Sequence, residues 1–136
     1  MIARGVRRML RALGWSTVTE LTLPGGRRAD LVAISPRGLL LVVEIKSSVA
    51  DLRADAKWRD YNAHCDAFSF AVSDNIPVGL VPPEAGLILA DAYGAHELRP
   101  PARHPLAPAA RKAMLLTLAR TAADRLHVLG DPDAGM

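Results

Sequence analysis

Residues 28–46 read Arg28-Ala-Asp30-Leu-Val-Ala-Ile34, then Ser35-Pro-Arg-Gly38, then Leu39-Leu-Leu-Val-Val-Glu44-Ile-Lys46. Two aliphatic, β-branched runs flank a turn signal, so they pair as antiparallel strands. The second run opens on continuous apolar residues, which suits a central strand buried on both faces. Side chains alternate along a strand, so Glu44 and Lys46 share one face while Val43 and Ile45 point the other way. Asp is depleted in strands, yet Asp30 immediately precedes an apolar run. With a connection across residues 35–38, Asp30 falls opposite Glu44 or opposite residues 41–43, depending on register.

Working outward, Trp15 to Leu23 alternates and is rich in β-branched residues, so it predicts a strand, closed by a Pro24-Gly-Gly26 turn. Arg27–Ile34 and Leu39–Lys46 follow, making a three-stranded meander. Before it, Ile2, Val6, Met9, Leu10 and Leu13 have helical spacing, with Gly14 as a stop. The other side of that helix carries Arg4, Arg7, Arg8 and Arg11 and no acid. A basic, acid-free N-terminus also suits a targeting segment, but these arginines interrupt the apolar stretch that a secretory signal needs.

After the meander, Ser47 or Ser48 caps a helix predicted over Val49–Cys65, with Asp51 in its first turn. A strand over Asp66–Val72 comes next, then an irregular Pro77–Pro83 segment. A hairpin of Gly86–Ala90 and Ala95–Leu98 turns at Asp91-Ala-Tyr-Gly94, and a proline-rich linker (100–108) leads to a helix over Ala109–Val128. The expected fold class is an α/β sandwich, with a mixed sheet and helices on its faces. Residues 1–129 form one domain and residues 130–136 a flexible tail.

Composition limits the function. The 136 residues are half apolar and 23% charged; the composition excludes wholesale disorder, and the length suggests one compact domain. No apolar run reaches the roughly 18 residues of a membrane span. Cys65 is the one cysteine and has no internal partner, so a cytoplasmic setting is expected. The net charge of +3 is a weak signal by itself. The bases are arginines apart from Lys46, Lys57 and Lys112, a bias that a GC-rich genome produces and that also suits bidentate phosphate contacts.

Two carboxylates brought together by adjacent strands repel, raising one pKa unless a cation intervenes. Mg²⁺, or Mn²⁺ in its place, is the cation such oxygens suit, held by one or two carboxylates plus waters and a substrate phosphate. A neighbouring lysine then orients water and stabilises charge at phosphorus. Asp30, Glu44 and Lys46 are therefore the candidate catalytic residues. The plain alternative is a surface ion pair where the strand meets solvent. Zinc is unsupported, since His64-Cys65 has no second cysteine and His96, His104 and His127 are scattered. There is no phosphate-cradling GxxxxGK[ST] motif. Arg4, Arg7, Arg8, Arg11, Arg27, Arg28, Arg53 and Lys57 are candidate phosphate contacts, with Gly25-Gly-Arg-Arg28 as a flexible basic hairpin tip. Trp58 and Tyr61 suit helix packing better than a base-stacking platform.

An Asp, then a Glu-x-Lys one hairpin later, after an N-terminal helix and in an αβββαβ order, resembles the PD-(D/E)xK nuclease superfamily. The proline that often precedes the Asp is replaced by Ala29. More closely, Gly26-Arg-Arg-Ala-Asp-Leu-Val-Ala33, Val43-Glu-Ile-Lys-Ser-Ser48, Arg53-Ala-Asp-Ala-Lys-Trp-Arg-Asp-Tyr61, Cys65-Asp-Ala-Phe-Ser-Phe-Ala-Val72, Gly86-Leu-Ile-Leu-Ala-Asp-Ala-Tyr-Gly94 and Leu106-Ala-Pro-Ala-Ala-Arg-Lys-Ala-Met114 resemble the MmcB-like DNA repair proteins. That resemblance implies a restriction-endonuclease-like core with an added hairpin and C-terminal helix, and a role in DNA repair. It also implies the backbone carbonyl of Ile45 as a third metal ligand beside Asp30 and Glu44. Many superfamily members carry an acid in the first helix; this helix has none, and Glu20 is the nearby acid that would take its place.

The expectation is a Mg²⁺-dependent endonuclease, a hydrolase of branched or damaged DNA, working in the bacterial cytoplasm at the nucleoid. A homodimer and repair-protein partners stay open, and no membrane partner is expected. The alternative from another class is a non-catalytic DNA-binding or adaptor module on the nuclease fold.

Overall fold

A computed structural model describes residues 2–133 of the chain. In order these form α1 (Ile2–Ala12), β1 (Ser16–Thr22), β2 (Arg28–Ile34), β3 (Leu40–Lys46), α2 (Val49–Ala54), a 3-10 helix (Trp58–His64), β4 (Ala67–Val72), a 3-10 turn (Val78–Leu80), β5 (Gly86–Ala90), β6 (Ala95–Arg99) and α3 (Pro108–Gly130). The strands make one mixed sheet in the order β1-β2-β3-β4-β5-β6. β1, β2 and β3 are the antiparallel meander expected from their short turns. β4 lies parallel to both β3 and β5, and β6 closes the hairpin. A parallel neighbour needs a crossover, which α2 and the following 3-10 helix supply between β3 and β4. β3 and β4 are the central strands and are buried almost throughout, as their apolar runs require.

Each sheet face has its own core. On one, Val6 and Leu10 of α1 pack against Leu31, Ala33, Leu41, Val43, Ala71 and Ile88. Gly5 lets α1 press onto the β5–β6 turn: a Cβ there would lie 2.0 Å from the Asp91 carbonyl oxygen. On the other face, Leu40, Val42, Phe68, Phe70 and Val72 meet Leu52, Trp58 and Tyr61 from the crossover and Met114 and Leu118 from α3. Trp58 stacks on Phe68 at 5.2 Å between ring centroids, so it is a core residue with no face left for a base. Asp66 fastens α3 to this layer. Its carboxylate accepts from Leu40 N–H at 2.8 Å, Leu106 N–H at 2.9 Å and the Arg111 guanidinium at 2.9 Å. Burial alone would raise its pKa; the guanidinium and the two N–H groups outweigh that and hold it below the usual carboxylate range.

The structure corrects one element. In place of a single helix over 49–65, α2 stops after Ala54 and the chain resumes as the 3-10 helix at Trp58. Ser48 caps α2, its hydroxyl accepting from Asp51 N–H at 3.0 Å. At the far end Asp55 leaves helical geometry at φ −90°, ψ 71°. Ala54 to Lys57 contains neither Gly nor Pro, so nothing local marks the stop. What ends the helix is the Asp55 side chain, drawn into ion pairs with β3 and the β1–β2 turn. The C-terminal helix covers its expected span, starting one residue earlier at Pro108 and running on through Gly130. Residues 134–136 of the expected tail lie outside the described residues.

Candidate functional site

β2 and β3 pair regularly from Ile34↔Leu40 to Leu31↔Val43. One step further, Asp30 stands opposite Glu44, and here side chains replace the backbone ladder. The Glu44 Oε2 atom accepts the Asp30 N–H at 2.7 Å, and the Asp30 Oδ2 atom accepts the Ile45 N–H at 2.8 Å. Two partly buried N–H groups beyond the end of the regular ladder are satisfied by the two acids in exchange. This settles the register left open by the sequence and brings Asp30, Glu44 and Ile45 into one constellation.

Glu44 is only 5% exposed. The Tyr61 hydroxyl lies 2.7 Å from its Oε1 atom and 3.1 Å from the Arg28 carbonyl oxygen, so it has two acceptors to choose between. Burial pushes the Glu44 carboxyl up to about 7; the Asp30 N–H, the Tyr61 hydroxyl and Lys46 pull it down, and the Asp30 charge adds to the rise. Burial raises the Tyr61 phenol as well, helped by the adjoining carboxylate, so it stays a protonated donor.

Lys46 projects from the same face of β3 as Glu44. Its Nζ atom is 3.1 Å from Asp55 Oδ2 and 3.9 Å from Asp51 Oδ1. The other Asp55 oxygen takes Arg27 at 3.2 Å. Arg27 also donates to the Lys57 carbonyl at 2.8 Å and lies 4.1 Å above the Tyr61 ring. Lys46, Asp55, Arg27, Tyr61 and Glu44 thus form a continuous ring around a shallow cleft of about 270 Å³. Neither Asp55 nor the Tyr61 hydroxyl was foreseen from sequence. Tyr61 had a signal, an aromatic with a polar tip on an otherwise apolar face; Asp55 had none, because its place depends on the helix break.

The remaining predicted residues separate. Glu20 is exposed, with a left-handed backbone at φ +49°, and is absent from the cleft. The kink reverses the alternation of β1, so Leu21 turns into the core. Arg27 is drawn inward by Asp55, Asp60 and Tyr61 and is no free phosphate contact. Arg28, Arg53 and Lys57 are exposed, the latter two on the crossover that borders the cleft. Arg4, Arg7, Arg8 and Arg11 line a separate groove between α1 and β1, on the opposite sheet face.

Among the described residues, no three His, Cys, Asp or Glu side chains gather as a metal-binding group. A site of two carboxylates and one carbonyl is still a donor set that a hard divalent cation accepts, because Mg²⁺ keeps several waters. The chemistry of Asp30 and Glu44 fits it: a buried carboxyl held up at about 7 beside a second acid is the situation a cation relieves.

The whole chain has a solved counterpart. A protein of unknown function from Silicibacter pomeroyi, SPO1766, superposes with a TM-score of 0.94 and is 44% identical, over 98% of this chain and 91% of that one. No curated protein matches. The family model described as DNA repair protein MmcB-like matches residues 1–133. With that model spanning nearly the full length, the chain belongs to the MmcB-like DNA repair family.

Proposed function

We propose that this DNA repair protein is a divalent-cation-dependent DNA hydrolase of PD-(D/E)xK type, with its active centre at Asp30, Glu44 and Lys46. The observation that carries the reading is the exchange between Asp30 and Glu44 on adjacent strands, with Lys46 beside Glu44 in the cleft that Glu44 lines. Asp30, Glu44 and the Ile45 carbonyl would hold Mg²⁺ or Mn²⁺. When bound, that ion supplies positive charge that polarises a phosphodiester and acidifies water. The protein's own groups do the rest. Tyr61 fixes the rotamer of Glu44 through its hydroxyl. Lys46, once Asp55 yields it to an incoming phosphate, places a positive charge beside the phosphorus and orients the attacking water. Arg28, Arg53 and Lys57 supply backbone contacts on that side.

One observation favours a second reading, a DNA-binding adaptor without turnover. Both Glu44 oxygens already have protein donors, and the Lys46 ammonium is paired with Asp55. Cleavage of a panel of branched and damaged DNAs with Mg²⁺ or Mn²⁺ separates the two. Wild type should cut, while Glu44→Gln and Lys46→Ala should bind the same DNA and leave it intact. Binding without cleavage by wild type under either metal establishes the adaptor. Equal cleavage by wild type and Glu44→Gln removes Glu44 from the site.

A further inference from the structure

We infer that the groove between α1 and β1 is a binding track for a single DNA strand, separate from the carboxylate cleft. The inference rests on the reading of this chain as one that acts on DNA, and adds the form of DNA recognised. The groove encloses about 750 Å³ and is lined by Arg4, Arg7, Arg8 and Arg11 together with Trp15 and Thr17. The arginines recur at helical positions i, i+3, i+4 and i+7, one stripe roughly 10 Å long at 1.5 Å per residue.

Among the described residues, no ion pair neutralises that stripe. No acid lines the groove, and the first turn of α1 has none. Like charges at i, i+4 and a cation near a helix N-terminus both oppose the helix. A polyanion in the groove removes the penalty. Two of the four side chains are already held: Arg7 Nε donates to Thr17 Oγ1 at 3.0 Å, and Arg8 donates to the Tyr93 carbonyl at 3.3 Å. The Thr17 hydroxyl is itself a phosphate-binding group.

Trp15 selects the strand form. Its ring is half-buried and packs on the α1-side core, yet lines the groove. An unpaired base has a free face to lay on it; a base inside a duplex has none. α1 covers the sheet face away from Glu44 and Lys46, and β1 is the edge strand between the two sites. The class of substrate is therefore DNA with a single-stranded segment, which lies in the groove while the cleavable part reaches the cleft around the β1 edge.

The test is fluorescence anisotropy of a labelled oligo-dT strand and of a blunt duplex of equal length, in EDTA, across 50–200 mM salt. Wild type should prefer the single strand. With four phosphate contacts, log K should fall with log salt at a slope of about 2.8, close to a 50-fold loss across that range. Arg4→Gln with Arg11→Gln, both exposed positions, should bring the slope to about 1.4 and the loss to about 7-fold. Trp15→Leu should weaken binding about 5- to 100-fold with the slope unchanged, provided its circular dichroism melt still shows a folded protein. Tryptophan emission should also be quenched in wild type but not in Trp15→Leu, whose remaining indole, Trp58, is buried in the core. Duplex bound as well as single strand overturns the inference. So does affinity lost in Arg28→Ala with Lys57→Ala but kept in the groove variants; DNA action by the chain then stands. A wild type that binds no DNA at low salt but captures anionic vesicles overturns both.

Discussion

Glu44→Gln should make the metal-free protein more stable above pH 7 and flatten its pH dependence. Burial holds the Glu44 carboxyl at about 7 in the folded chain, against 4.5 when unfolded. Between those values the folded state keeps a proton that the unfolded state has released, so stability falls as pH rises. At 1.36 kcal/mol per unit, the loss reaches on the order of 3 kcal/mol by pH 8. The amide carries no charge and escapes it. The geometry also receives glutamine. Its carbonyl oxygen takes the Asp30 N–H, and its NH₂ donates to the Tyr61 oxygen while the Tyr61 proton turns to the Arg28 carbonyl, already 3.1 Å away.

Urea unfolding in EDTA at half-unit steps from pH 5 to 8.5 measures this. Wild type should lose stability through the range and Glu44→Gln should not, leaving the variant about 2–3 kcal/mol ahead at pH 8, or on the order of 10 °C in midpoint. Mg²⁺ added at pH 8 should raise the wild-type midpoint, by about 2.7 kcal/mol at a hundredfold excess over Kd, and leave the variant unmoved. Identical slopes for the two proteins, or a variant less stable at pH 8, would refute the buried-acid argument. Equal Mg²⁺ responses would refute Glu44 as a ligand.

Three further outcomes follow from the same contacts. Tyr61→Phe removes a donor to a buried charge and should cost about 1.5–3 kcal/mol at pH 8 and less at pH 5, where Glu44 is protonated; urea midpoints at the two pH values read the difference. Gly5→Ala forces a Cβ to within 2.0 Å of the Asp91 oxygen, so α1 must lift from the β5–β6 turn, and thermal melts should show a loss of about 3 kcal/mol or more. Asp66→Ala strands Arg111 and two buried N–H groups and should cost about 3–5 kcal/mol. Because Asp66 is held below the usual carboxylate range, its contribution in wild type is full above that range and is lost as pH falls below it, through the lowered folded-state value, so the wild-type advantage should shrink in acid.

Much of the fold was legible because local signals agreed with one another. Pro24-Gly-Gly26 and Ser35-Pro-Arg-Gly38 bound the strands of the meander, and continuous apolarity marked β3 as central. Asp30 and Glu44 stood out as acids inside apolar strands, and the hairpin connection put them side by side. What stayed hidden was non-local. Asp55 ends α2 through partners contributed by β3 and the β1–β2 turn, and no propensity scale contains that interaction. Arg27 and Arg28 are chemically alike and adjacent in sequence. One turns in to Asp55 and Tyr61 and the other out to solvent, a choice fixed only once the 3-10 helix is docked. Glu20 was offered by the family resemblance alone, and no local signal foretold the left-handed backbone that leaves it exposed outside the cleft.

The break after Ala54 bears directly on the chemistry. A continuous helix over 49–65 would point residues 51 and 55 along one face, but it would not let Asp55 reach Lys46 and Arg27 while Tyr61 turns its hydroxyl to Glu44. By stopping α2 and starting again in 3-10 geometry, the crossover delivers an acid to the lysine and a phenol to the glutamate from one stretch of chain. Asp55 holds the Lys46 ammonium in place without a substrate, at a partner that a phosphate can replace. Tyr61 does the complementary work on Glu44, holding one oxygen while leaving that atom's second lone pair free. The two acids at the end of the β2–β3 ladder are thus fixed by backbone N–H groups from the sheet, and their surroundings by the crossover. The arginine groove owes nothing to either, being lined by α1, β1 and the turn that joins them. Substitutions in the crossover should therefore change chemistry without changing strand capture, and substitutions in α1 should do the opposite.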